Sequence, residues 1–102
     1  SSAASDVYKR QTLYGAEAKY LSAQLMYNAG EYAAAEKEIL NFIDQSTPHA
    51  YWLARSFILL SDVYVAMDKK LDARQYLLSL QQNYHADDDI ERMIQERLEK
   101  LK

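Results

Sequence analysis

The sequence predicts an all-α fold, and three observations carry that expectation. Only two of the 102 residues are glycine and one is proline, so little in the chain interrupts a helix. Apolar residues recur at spacings of three and four, and no run alternates as a half-buried strand would. Polar clusters, "AGE", "DQSTPH", "DKK" and "HADDD", divide these stripes into segments of ordinary helix length.

The first helix is expected from Ala16 to Ala29, where Tyr20, Leu21, Ala23, Met26 and Tyr27 recur at helical spacing. Gly30 ends it, because helices commonly close through a left-handed residue, and glycine takes that conformation without a steric penalty. Glu31 places a negative charge at the start of the second helix, where the dipole favours it. That helix carries Tyr32, Ala35, Ile39, Phe42 and Ile43. Thr47 is expected to cap the third helix, with Pro48 at its first position. The third helix runs to about Met67, with Trp52, Leu53, Phe57, Leu60 and Tyr64 on one face. After the polar turn Asp68 to Lys70, a fourth helix reaches about Tyr84 and carries Ala73, Leu77, Leu80 and Tyr84. Asp88 and Glu91 have the spacing of a capping box. The fifth helix bears Ile90, Met93, Ile94, Leu98 and Leu101, and its other face has the charge pairs Arg92–Glu96 and Glu96–Lys100.

Composition bounds the function. The length is that of a single domain, and nine Tyr, two Phe and one Trp can fill its core. No cysteine is present, which excludes disulfides, thiolate metal sites and cysteine nucleophiles together. The net charge is −3 with the signs interspersed, which argues against nucleic acid as a partner. The longest uncharged run, Tyr20 to Gly30, is far shorter than the ~20 apolar residues of a membrane span, so no direct membrane insertion is expected.

The helices repeat. Ala16 to Ala54 and Ala35 to Ala73 are each separated by 38 positions, and helix lengths, turn and small residues recur with them. Paired antiparallel helices approach closely, at ~8–10 Å, only where the contact residues are small. Ala23 with Ala35, and Ser61 with Ala73, are the expected contacts.

In the second unit, Phe57, Leu60, Ser61 and Tyr64, followed by Ala73 and Leu77, resemble the tetratricopeptide-repeat signature. Ala23, Gly30, Tyr32, Ala35 and Ile39 occupy the matching places of the first unit. Lys19 and Ser22 depart from the large apolar pair of that signature, Asp68 stands where an inter-helix glycine is usual, and the period exceeds the family's usual spacing. The resemblance implies two helix pairs, about 16–47 and 48–85, in a right-handed solenoid, with a capping helix at about 88–101. It also implies binding of a protein or peptide in a concave groove. The opening "SSAASDVYKRQ" is similar to a translated sequencing adaptor, so residues 1–11 are set aside as a non-native leader. On that reading the rest is the C-terminal part of a bacterial protein, with further repeats ahead of Thr12. "AEAKYLSAQLMYNAGEYAAAEKEI" is similar to repeats of envelope-associated bacterial members of the family. That similarity bears on localisation alone, pointing to the periplasm or cell envelope and leaving the cytoplasm open.

No catalytic, metal or cofactor site is expected. His49 and His85 lie at separate junctions without the i, i+4 partner of zinc motifs. Asp87 to Asp89 lack the glycine and closing glutamate of a calcium loop and suit a helix start. Ser61 has no histidine at a telling distance, and no glycine-rich loop or nucleophile elbow is present. Chemistry is therefore expected in binding rather than catalysis. The outward positions of the first helix are Glu17, Tyr20, Gln24, Tyr27 and Asn28, and those of the third are Arg55, Ile58, Asp62 and Val65. Tyr20, Tyr27 and Arg55 are the expected anchors, since Tyr and Arg dominate interface energetics. Only Arg55 among these positions is basic, so an acidic C-terminal peptide is not the expected ligand. The alternative is a structural spacer or dimerisation bundle, with helices near +20° around one central core.

Overall fold

The computed structural model describes residues 2–45 and 47–102, with side chains from Leu13 onward. It contains α1 (Ser2–Asn28), α2 (Tyr32–Asp44), α3 (Ala50–Ala66), α4 (Lys70–Asn83) and α5 (Ile90–Lys100), and no strand among the described residues. The all-α expectation holds, and four of the five helices fall where periodicity places them. α1 differs, running upstream through residues set aside as a leader. Each helical residue added to a formed turn gains a hydrogen bond, and nothing in this stretch breaks the ladder.

Two helix starts depart from expectation. α3 begins at Ala50, with His49 as its N-cap, so Pro48 lies before the helix. Thr47 Oγ1 instead accepts the His49 N–H at 3.2 Å, turning the chain into the helix. α5 is capped at Asp89, and Asp88 accepts the Ile90 N–H at 2.9 Å without a reciprocal bond from Glu91. The expected Glu96–Lys100 pair is absent among the described residues, whereas Arg92 and Glu96 pair at 2.7 Å.

The two hairpin turns have the same geometry 38 residues apart. In the first, Gly30 takes φ +78°, its N–H donates to Tyr27 O at 3.0 Å, and Glu31 N–H donates to Met26 O at 2.9 Å. In the second, Asp68 takes φ +61°, its N–H donates to Val65 O at 3.1 Å, and Lys69 N–H donates to Tyr64 O at 2.7 Å. Both are Schellman closures, which satisfy carbonyls that the helix end leaves unpaired. Asp68 therefore does the work of glycine in a conformation that costs a side-chain-bearing residue free energy.

Small residues sit where the hairpins meet. Ala23, Ala35, Ser61 and Ala73 are all at or below 1 % exposure. Ser61 Oγ donates to Ile58 O at 2.6 Å, so its burial leaves no donor unpaired. One core cluster joins Tyr20, Ala23, Ala35, Ile39, Leu59, Leu60, Val63, Tyr64 and Ala73 across the first four helices. A second joins Ala54, Ile58, Leu77, Leu80, Ile90 and Ile94 across α3, α4 and α5.

Helix contacts follow one rule. α3 lies on both α1 and α2, and α5 lies on both α3 and α4. Sandwiched in this way, α3 is buried nearly all round, which explains why it is apolar on more than one face. α5 meets α4 at Leu77 and Leu80, whereas Tyr76 packs with Phe57 and Tyr64, at 5.9 and 5.6 Å between ring centroids.

Candidate functional site

The first helices of the two hairpins, together with α5, share one side of the protein, and two polar networks lie along it. In the first, the Arg55 guanidinium on α3 donates to Tyr20 Oη on α1 and to Tyr51 Oη, each at 2.9 Å. It also lies over the Tyr20 ring at 4.9 Å and near the Tyr51 and Trp52 rings at 5.8 Å. Tyr51 Oη in turn donates a hydrogen bond to Asp89 Oδ1 at 2.9 Å, reaching the N-cap of α5. Burial pulls the Arg55 pKa down, the two phenolic hydroxyls pull it up, and the balance is a rise. Along α1, Tyr20 Oη donates to Gln24 Oε1 and Gln24 Nε2 donates to Asn28 Oδ1, both at 3.1 Å.

The second network is an ion pair between α3 and α5. Arg97 Nε and Nη2 donate to the two Asp62 oxygens at 2.9 and 3.0 Å, and Arg97 Nη1 donates to Met93 O at 3.2 Å. The fork geometry and the 25 % exposure of both side chains make it stronger than an ordinary surface pair. Tyr27 lies close by. Burial, then the Asp62 charge, raise its pKa, and Arg97 works against them.

Around this pair opens a cleft of about 490 Å³. Tyr27 of α1, Asp62 and Val65 of α3, Lys70 of α4, and Arg97 and Lys100 of α5 stand on its walls. Neither lysine has an ion-pair partner among the described residues. Glu96 lines the cleft as well but is paired with Arg92 at 2.7 Å, so the two lysines leave the cleft more basic than the sequence positions alone suggested.

The nine residues expected to line a groove divide into three groups. Tyr27, Asp62 and Val65 meet in the cleft. Gln24 and Asn28 continue along α1, with Glu17 half-buried nearer the middle of that helix. Tyr20, Arg55 and Ile58 do not offer free contact surface. Tyr20 is 5 % exposed and packs on Trp52, with 5.4 Å between ring centroids, while Arg55 is occupied in bridging α1 to α3. Ile58 is 1 % exposed, because α5 lands on the face of α3 that was read as open. Arg97, Lys100 and Lys70 were missed. The charged side of α5 was visible in the sequence, but its docking onto α3 was not.

Among the described residues, no group of three His, Asp or Glu is placed to hold a metal ion, and no helix is long and apolar enough to cross a membrane. His85 Nε2 lies 3.0 Å from Gln82 O, beside its own helix end. Compared with known family models, curated proteins and solved structures, the chain matches none of them.

Proposed function

We propose that this chain is a tetratricopeptide-like scaffold that binds a protein or peptide segment along the side where α1, α3 and α5 meet. The observation that carries the reading is the cleft, where Tyr27 of α1, Asp62 and Val65 of α3, Lys70 of α4, and Arg97 and Lys100 of α5 meet. In this reading α1–α2 and α3–α4 are successive hairpins of a right-handed solenoid, and α5 is its cap. The repeated Schellman turns and the contacts between successive units support it.

The bound segment meets Val65, Tyr27 and the amide side chains of Gln24 and Asn28, while Tyr20 and Arg55 hold the wall behind them. Lys70 and Lys100 favour a segment that carries carboxylates. No catalytic residue, cofactor or metal belongs to this reading. The test is selection of displayed peptides against the immobilised full chain. Binders should lose affinity for a Val65→Ser, Lys100→Ser double variant. They should keep it for Leu71→Ser, a substitution at an exposed position outside the cleft. Equal binding to both variants would refute the assignment.

A further inference from the structure

Arg97 holds a carboxylate in the manner of a binding site, but the carboxylate belongs to the same chain. Its Nε and Nη2 donate to the two Asp62 oxygens, and Nη1 donates to Met93 O one turn back on α5, which fixes the plane of the fork. A planar fork on two oxygens is also how arginine takes up a foreign carboxylate. The pair lines the cleft together with Lys70 of α4 and Lys100 of α5, neither of them ion-paired among the described residues. Both partners keep 25 % side-chain exposure, so the pair is open to an entering side chain.

Asp62 and Glu96 are the two carboxylates on the cleft walls, and they are answered differently. Glu96 pairs with Arg92, which does not line the cleft, whereas Asp62 pairs with a cation of the cleft itself. Asp62 therefore withdraws Arg97 from the charges that a ligand could meet. Burial raises the Tyr27 pKa most, the Asp62 charge comes next, and Arg97 offsets only part of it. Tyr27 thus faces the negative end of the pair, as a ligand seated against Tyr27 would. We propose that Asp62 sets the specificity of the cleft by acting as its resident anion. It fills the fork that would otherwise take a ligand carboxylate, and a carboxylate-bearing segment gains Arg97 only by displacing it. The seat of α5 does not depend on the pair, because Ile90 and Ile94, each at 1 % exposure, pack with Ala54, Ile58, Leu77 and Leu80. The inference rests on the cleft being the binding surface.

The probe is a fluorescein-labelled hexaglutamate peptide, titrated with the full chain at low salt and followed by anisotropy. Asp62→Asn keeps the shape and removes the charge. It should tighten binding roughly tenfold, the size of one charge-assisted hydrogen bond, with a gain that shrinks as salt is added. Adding Arg97→Gln should cancel that gain. Asp44→Asn makes the same charge change at an exposed position outside the cleft and should leave the affinity unchanged. No gain from Asp62→Asn, a gain that survives Arg97→Gln, or an equal gain from Asp44→Asn would overturn the proposal. Should Asp62→Asn lose helix content, the parent chain answers by nuclear magnetic resonance. Its Arg97 Nε–H signal should move on saturation with hexaglutamate, and a fixed signal would be equally fatal. Failure of the cleft reading looks different. Parent binding would then ignore Lys70→Ser combined with Lys100→Ser, and both conclusions fall. Binding that those two substitutions weaken, with no gain from Asp62→Asn, sinks the role of Asp62 alone.

Discussion

Replacing Asp68 with glycine should stabilise this protein, while replacing Gly30 with alanine should destabilise it, although the two residues occupy equivalent turns. Asp68 sits at φ +61°, and both hydrogen bonds of its turn are made by backbone atoms that glycine retains. The left-handed conformation costs an L-residue about 1–2 kcal/mol, nearer the lower end for Asp, whose short polar side chain visits it more readily. Glycine gives back roughly 0.4–1 kcal/mol through the greater freedom of the unfolded chain, leaving a net gain of about 0.5 kcal/mol. The charge of Asp68 contributes little to the difference, since it opposes the dipole at the end of α3 and favours the one at the start of α4.

At Gly30, with φ +78°, an added Cβ would meet no atom within 4 Å, so Gly30→Ala carries no clash. The same two effects now combine with opposite sign, for a net loss of about 1 kcal/mol. In a domain of this size ~1 kcal/mol moves the melting temperature by about 4–8 °C. Thermal denaturation followed by far-ultraviolet circular dichroism should place Asp68→Gly about 2–4 °C above the parent and Gly30→Ala about 4–8 °C below it. Asp68→Asn is the control, since it removes the charge and keeps a residue that tolerates the conformation. Shifts of the same sign in both glycine swaps, or a stabilisation by Asn that matches that by Gly, would refute the backbone argument.

Two further outcomes follow from burial and titration. Ala35→Leu should overpack the hairpin contact and lower stability by about 1–3 kcal/mol, while Ala33→Leu, on the exposed side of the same helix, should be near neutral in urea denaturation. Burial, then the hydrogen bond to Asp88, push the Tyr84 hydroxyl up to about 12, and Tyr64 and Tyr27 are raised too. Raised folded pKa values stabilise the fold below the unfolded value near 10 and lose that stabilisation as pH climbs through the folded one. Stability should therefore fall as pH rises from about 10 to about 12, and less steeply in Tyr84→Phe, as read from urea midpoints across that window. An unchanged slope in the Phe variant would exclude Tyr84 as a contributor.

The candidate surface was legible only in part, and particular residues show why. Tyr27, Asp62 and Val65 were found because their helical phase points them away from their own hairpin partner. Ile58 has the same phase and is buried, because its exposure depends on α5, an element whose landing place is absent from local periodicity. Tyr20 and Arg55 look like interface anchors by residue type, yet they hydrogen-bond to each other across 35 positions of sequence. The cleft lysines were missed for a related reason. Lys70 and Lys100 lie on different helices, and neither position announces the other.

Read alone, the amino-acid order determined roughly where four of the five helices lie, that the chain turns left-handed at Gly30, and which small residues lie buried in the helix pairs. Those features follow from interactions among residues a few positions apart, and they repeat in register. Tertiary structure alone decided which aromatic and charged groups remain at the surface. That outcome depends on partners 35 or 38 positions distant, Tyr20 with Arg55, Asp62 with Arg97 and Tyr51 with Asp89, brought together when α3 and α5 pack onto the helices before them.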